Sequence, residues 1–225
     1  MPNALLKKLG NYAHFTPGEV DCVLGLQDKR TTFGKSVDIF HERQQERRAY
    51  ILLDGWAFAY KLVPDGGRQV IAFLMPGDFL GMRSILLRVS DHSVATFTEC
   101  SVVSISVERL AAAFDDYPRV GMAMLWSISR DEAVIVEHLV NIGRRSAIER
   151  TAHFFLEIGK RMQLAGLARE NVFRFPFSQY LLADALGLTS IHVNRVLREL
   201  RERNLIELKD RQVVIIDPLG LIDLA

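Results

Sequence analysis

Between Thr31 and Ser106 apolar residues recur at every second position in short runs, whereas on both sides of that stretch they recur every three or four. Asp38-Ile-Phe, Tyr50-Ile-Leu-Leu, Trp56-Ala-Phe-Ala-Tyr-Lys-Leu, Gln69-Val-Ile-Ala-Phe-Leu, Val94-Ala-Thr-Phe and Val102-Val-Ser-Ile read as strands. Asp54-Gly55, Pro64-Asp-Gly-Gly67 and Pro76-Gly77-Asp78 separate them as turns. Many short strands at such spacing predict a small barrel or sandwich. Residues 1–30 instead place Leu5, Leu6, Leu9, Val20, Val23 and Leu24 on a helical stripe, and residues 107–115 return to helix.

Pro118 opens a long helix. Along it Leu125, Ile128, Glu132, Ile135, Leu139 and Ile142 alternate in steps of three and four, a coiled-coil-like seam interrupted by Glu132. Burial in one chain's own core and pairing with a second copy both produce this pattern. Gly143 breaks it and is the expected hinge. A further helix runs to about Met162, packing Ala152, Phe155, Leu156 and Ile158, and a polar loop from Ala165 to Asn171 follows.

The segment from Ser178 to Arg203 reads as two helices joined by a tight corner. Ala183 is small where the helices cross and Gly187 falls where the chain turns, while Leu182, Leu186, Leu188, Val193 and Val196 form the apolar wedge. Ser190, Ile191, His192, Asn194, Arg195 and Arg198 remain for the outer surface of the second helix. That is helix-turn-helix spacing, although an ordinary helical hairpin shares its apolar positions. Asn204 ends the helix, and Leu205-Ile-Glu-Leu-Lys, Asp210-Arg-Gln and Val213-Val-Ile-Ile read as a β-hairpin, the wing of a winged helix. Arg195, Arg198, Arg201, Arg203, Lys209 and Arg211 concentrate cations on this module, diluted by Glu199 and Glu202.

Charge sharpens this picture. The 225 residues carry a formal net charge of +1. From residue 143 onward there are 13 Lys and Arg against 10 Asp and Glu, and before it 15 against 17. The excess is small, so DNA binding would rest on local placement more than on bulk charge. The apolar runs are too short for a bilayer span and the first residues lack a secretory signal, so no membrane role and a cytoplasmic setting are expected. Cys22 and Cys100 have no metal-ligand spacing, and whether either is a redox switch is left open by their positions.

The order of parts resembles the CRP/FNR family of bacterial transcription regulators over roughly residues 12–218. The resemblance rests on Pro76-Gly-Asp-Phe-Leu-Gly81, on Leu182-Ala-Asp-Ala-Leu-Gly-Leu-Thr189 with Val193-Asn-Arg-Val-Leu197, and on Gly143-Arg-Arg-Ser-Ala-Ile-Glu-Arg-Thr-Ala-His153. It implies an α+β chain: a cyclic-nucleotide-binding-like β-roll (jelly-roll) sensor over residues 1–117, a dimerisation helix over 118–142, and a winged helix-turn-helix over 143–225. It further implies a non-enzymatic homodimer that binds a roughly palindromic double-stranded DNA operator, with RNA polymerase and an unidentified small effector as further partners.

The resemblance assigns Arg195 to a guanine in the major groove, where its fork matches the O6 and N7 acceptors. Ser190, Ile191, His192 and Asn194 are the other base-reading candidates, although relatives commonly carry a charged or long polar residue near Ser190 or Ile191. Ser178, Thr189, Arg198, Lys209 and Arg211 are the phosphate candidates, the two hydroxyls being equally suited to helix capping. Leu125, Ile128, Ile135, Leu139 and Ile142 would form the dimer seam.

In the sensor, Gly81, Met82, Arg83, His92 and Ser93 are the candidate effector pocket. The family's nucleotide binders follow the glycine with Glu and meet the cyclic phosphate with Arg; here Met82 and His92 stand at those places, so cyclic AMP is not expected. Arg83 is a possible substitute cation. Two cysteines are too few for a four-thiolate iron–sulfur cluster, the six histidines are scattered and give no support for haem, and no metal site is expected. Two other readings are a cupin-like enzyme, for which His41, Glu42 and His92 form no repeated ligand motif, and a regulator that keeps the fold without using DNA.

Overall fold

The computed structural model describes residues 3–45 and 48–225. The helical stretch expected from residue 1 thus begins, at Met1 and Pro2, outside the described residues. Two compact units are formed. The first comprises residues up to Gly66 with Ile71–Glu132, the second Gly67–Val70 with Ala133–Ala225.

In the first unit, helices α1 (Ala4–Leu9) and α2 (Pro17–Gly25) precede eight strands: β1 (Arg30–Phe33), β2 (Asp38–Phe40), β3 (Arg48–Asp54), β4 (Ala57–Leu62), β5 (Arg68–Leu74, which belongs to this unit from Ile71 onward), β6 (Phe79–Leu80), β7 (Ser93–Thr96) and β8 (Cys100–Ser106). They form two four-stranded sheets, ordered β1-β8-β3-β6 and β2-β7-β4-β5. Apart from β4 and β5, which are neighbours in one sheet, strands successive in sequence alternate between the two sheets. That is the roll expected from the sequence. Side chains alternate across a strand, so β3 and β8 serve two cores at once. Leu52, Cys100 and Val102 face the core shared with Ile39, Phe40, Ala57, Ala59, Leu80 and Val94. Ala49, Ile51, Val103 and Ile105 face the opposite core, with Leu5, Leu9, Val23 and Leu26 from the N-terminal helices. Helices on the outer face explain why Tyr50-Ile-Leu-Leu and Val102-Val are apolar at successive positions, a departure from the every-second-position pattern of the stretch as a whole.

A short helix, α3 (Met82–Leu87), interrupts the strands, and α4 (Val107–Asp116) leads into the 27-residue α5 (Pro118–Arg144). Val120, Ala123 and Met124 are buried in the outer core, which anchors the first turns of α5. Gly143 does not stop this helix. α5 runs through it to Arg144, and the break falls at Arg145, ahead of Ser146. Ser146 and Glu149 form a capping box that starts α6 (Ala147–Leu164).

The second unit continues with β9 (Ala168–Arg169), β10 (Val172–Arg174), α7 (Gln179–Leu186), α8 (Ser190–Glu202), β11 (Ile206–Lys209), β12 (Gln212–Ile215) and α9 (Pro218–Leu224). The last four strands of the chain make one sheet, ordered β11-β12-β10-β9. The aromatic core joins α6 to the chain before α7: Phe155 and Phe175 lie edge to face at 5.4 Å, Phe175 and Phe177 at 5.2 Å.

Candidate nucleic-acid interface

The polar surface of α8 follows from which residues the fold takes inward. Val193, Val196, Leu197 and Leu200 are buried. At 3.6 residues per turn this leaves Ile191, Asn194, Arg195 and Arg198 on one outward face, and all four are exposed. Leu181, Leu182, Ala183, Ala185 and Leu186 are buried on α7. Gly187 caps α7 in the left-handed region (φ 63°), and Leu188 N donates to Ala183 O at 3.1 Å, closing the corner between the two helices. Residues 178–203 therefore form the helix-turn-helix.

Both hydroxyl candidates cap helices. Ser178 Oγ accepts from Leu181 N at 3.2 Å and Thr189 Oγ1 accepts from His192 N at 3.2 Å. Each O–H is still a donor for a phosphate oxygen. The α8 helix has no acidic residue in its first turn, so nothing there repels an anion.

The structure sorts the six cations named from the sequence. Arg203 pairs with Glu199, and Arg201 Nε donates to Leu197 O at 3.2 Å, so both are drawn back onto the helix. The side chains of Arg195, Arg198, Lys209 and Arg211 have no such partner among the described residues and stand exposed. Lys209 opens the turn of the β11–β12 hairpin, where it pairs with Gln212, and Arg211 lies within the turn. A cleft of about 360 Å³ between this turn and the start of α7 is lined by Ser178, Gln179, Leu182, Leu197, Lys209 and Arg211, which brings three phosphate candidates together.

Asp210 and Arg211 have φ of 51° and 60°, so the wing turn is left-handed at both central residues without a glycine. Arg211→Gly separates two roles of that residue. It is expected to raise stability by roughly 1 kcal/mol by relieving backbone strain. It should also lower DNA affinity and reduce the salt slope of binding by about 0.9 for each phosphate no longer neutralised. Unfolding and titrations at several salt concentrations measure both.

Arg150, a residue that the sequence pattern does not single out, positions the module. Its Nη2 donates to Ile142 O and Arg145 O, each at 3.0 Å, and its Nη1 donates to Leu186 O. One cation from α6 thus binds the carbonyl ends of both α5 and α7, where helix dipoles favour positive charge. In the sequence it is one arginine of a basic cluster, and only the fold distinguishes it.

In the first unit the five pocket candidates lie around α3 and β7. Gly81 has φ 70°, and a Cβ there would meet the Phe40 ring at 3.2 Å. Met82 packs on the outer core. Arg83 pairs with Asp91 at 3.0 Å, and His92 Nδ1 lies 2.7 Å from the other Asp91 oxygen. Ser93 Oγ accepts from Glu42 N at 2.9 Å. Asp91 is absent from the sequence-derived candidates, although it adjoins His92. Burial pushes its carboxyl up, but the hydrogen bond to His92 and the charges of His92 and Arg83 outweigh burial and hold it low. Burial pushes the Cys22 thiol up, and the Cys100 thiol to about 11, so both stay protonated at neutral pH.

His92, His138 and His153 are all shifted down, burial being the largest cause in each. Their neutral forms therefore favour the folded state. Their contribution is complete above the unfolded-state value of about 6.5 and is lost as pH falls below it. The urea midpoint is expected to drop between pH 7.5 and 5.5; equal midpoints would contradict this.

A roll followed by a long helix and a winged helix-turn-helix with exposed cations defines a DNA-binding transcription regulator. A cyclic nucleotide-binding domain model matches residues 30–117 and a Crp-like helix-turn-helix domain model matches residues 149–224. The chain belongs to the CRP/FNR family. It is 33% identical to the transcriptional activatory protein AadR of Rhodopseudomonas palustris, over 83% of this chain and 77% of that protein. It is 31% identical to the nitrogen fixation regulation protein FixK of Azorhizobium caulinodans, over 91% and 81%. Among solved structures, FixK2 from Bradyrhizobium japonicum superposes with a TM-score of 0.77 at 27% identity, covering 87% of this chain and 96% of that one. These homologues are regulators and not enzymes, which removes the cupin-like reading.

Proposed function

We propose that the chain acts as a homodimer on a roughly palindromic operator, each copy placing α8 in the major groove and its wing along the backbone. The observation that carries this reading is the exposed face of α8 and the wing turn, where four cations are left without partners among the described residues. Arg195 reads a guanine, with Ser190, Ile191, His192 and Asn194 beside it; Arg198, Lys209, Arg211, Ser178 and Thr189 hold phosphates.

The second copy pairs along α5. Leu125, Ile135 and Leu139 are exposed in the single chain, and Ile128 and Ile142 are half-buried. An apolar row of this length on one helix is suited to a two-helix seam. Two readers related by a two-fold axis address half-sites about one helical turn apart. RNA polymerase is the expected partner at promoters, and the cytoplasm the expected setting. No described helix is long and apolar enough to cross a membrane. The signal reaches the roll by some route other than the family's cyclic-nucleotide anchors, because Met82 cannot accept from a ribose hydroxyl and Asp91 already neutralises Arg83. Genome-wide footprinting of the protein, with and without candidate signals, tests the reading; the absence of any sequence-selective footprint would end it.

A further inference from the structure

We infer that Ile191 is a specificity determinant, reading the C5-methyl group of a thymine one or two base pairs from the guanine that Arg195 reads. The inference rests on the proposed DNA reading and deepens it. Ile191 is 80% exposed, at the second position of α8. A single exposed apolar residue is by itself ordinary; this one's place makes it informative. It lies four residues before Arg195, hence on the same face and about 6 Å away along the helix axis. Base pairs rise about 3.4 Å per step, so two side chains at that separation address pairs one or two steps apart.

The neighbours leave this role to Ile191 alone. Ser190, His192, Asn194 and Arg195 are polar, and Asn194 Nδ2 donates to Ser190 O at 3.1 Å, which engages its amide within the helix. A branched apolar side chain in a first turn has no capping or dipole role that would explain it. In the major groove the thymine methyl is the apolar group that a base pair presents. An isoleucine carried into that groove beside an arginine meets either that methyl or polar edges that leave it uncompensated.

The test uses the full-length protein and an operator duplex selected from random DNA. Each thymine of the half-sites is replaced in turn by deoxyuridine, which removes the methyl and leaves the pairing unchanged. At one thymine position per half-site, wild type is expected to bind roughly 4-fold more weakly, or roughly 15-fold when both half-sites are changed, the equivalent of one buried methyl each. Ile191→Ala is expected to bind the thymine and deoxyuridine duplexes equally, and Ile191→Val to retain most of the difference. Exposure of the side chain means that neither variant disturbs the core. Deoxyuridine having no effect at any position, or the same effect in Ile191→Ala, would overturn the inference. Selection yielding no motif at all would instead remove the DNA reading on which it rests.

Discussion

Arg195→Ala is expected to weaken operator binding by about 1–3 kcal/mol per half-site, so by about 2–6 kcal/mol for a dimer that carries the change twice. Discrimination at one base pair of each half-site should relax at the same time. The physical reason is that guanidinium supplies two parallel donors to the O6 and N7 of one guanine, and alanine leaves both acceptors without a partner in a desolvated groove. Because Arg195 has no partner of its own among the described residues, its removal costs the free protein nothing. The affected interaction is base readout, so the salt dependence should stay nearly unchanged. Arg198→Ala is the control: it should weaken all sequences alike and lower the salt slope by about 0.9 for each phosphate left without its cation. Titrations on the operator and its single-base variants distinguish the two. Equal losses on every duplex for Arg195→Ala would remove it as the base reader.

Leu139→Glu is expected to dissociate the dimer. Leu139 is 72% exposed in the single chain, so the fold does not need it. In a seam its full burial is worth about 1.5–3 kcal/mol from each copy, and the substituted carboxylates would face one another at a position that favours apolar contact. The dissociation constant should rise by at least about 100-fold, with circular dichroism unchanged and operator binding lost because half-sites are then bound singly. In the proposed seam Glu132 would place two like charges together. Glu132→Leu should tighten the dimer, which makes the pair of substitutions a test with opposite signs. Sedimentation of both variants measures it; a wild-type dimer that tolerates Leu139→Glu would place the seam elsewhere.

What is legible in the sequence divides by the range of the interactions involved. The outward face of α8 follows from helical period alone, and the roll from alternation at turn spacing, because both patterns are local. The end of α5 lies beyond Gly143 because a glycine in an exposed helix costs only about 1 kcal/mol and need not break it. The true boundary is set by the Ser146–Glu149 capping box, a signal present in the letters. α3 leaves no such trace: it has six residues, begins at a left-handed glycine and has no side-chain cap. β10 is equally silent, because its three residues are stabilised by pairing with β9 and with distant β12, and not by their own pattern.

The candidate site shows the same division. By charge and helical or wing position alone, Arg201 and Arg203 look as available as Arg195, Arg198, Lys209 and Arg211, and it is the resemblance that gives roles to the latter four. Only the fold shows that Arg201 and Arg203 are turned back onto α8, by Leu197 O and Glu199. Arg150 and Asp91 act on partners that chain order does not reveal, two helix ends for one and Arg83 for the other.

The central claim is that two copies of this chain read one operator through paired α8 helices. Native mass spectrometry of the protein on a selected duplex, with hydroxyl-radical footprinting of the same complex, tests it most directly. The expected result is two chains per duplex and two protected backbone segments centred about 10 base pairs apart. One chain per duplex, or protection that is the same on unrelated DNA, would contradict it.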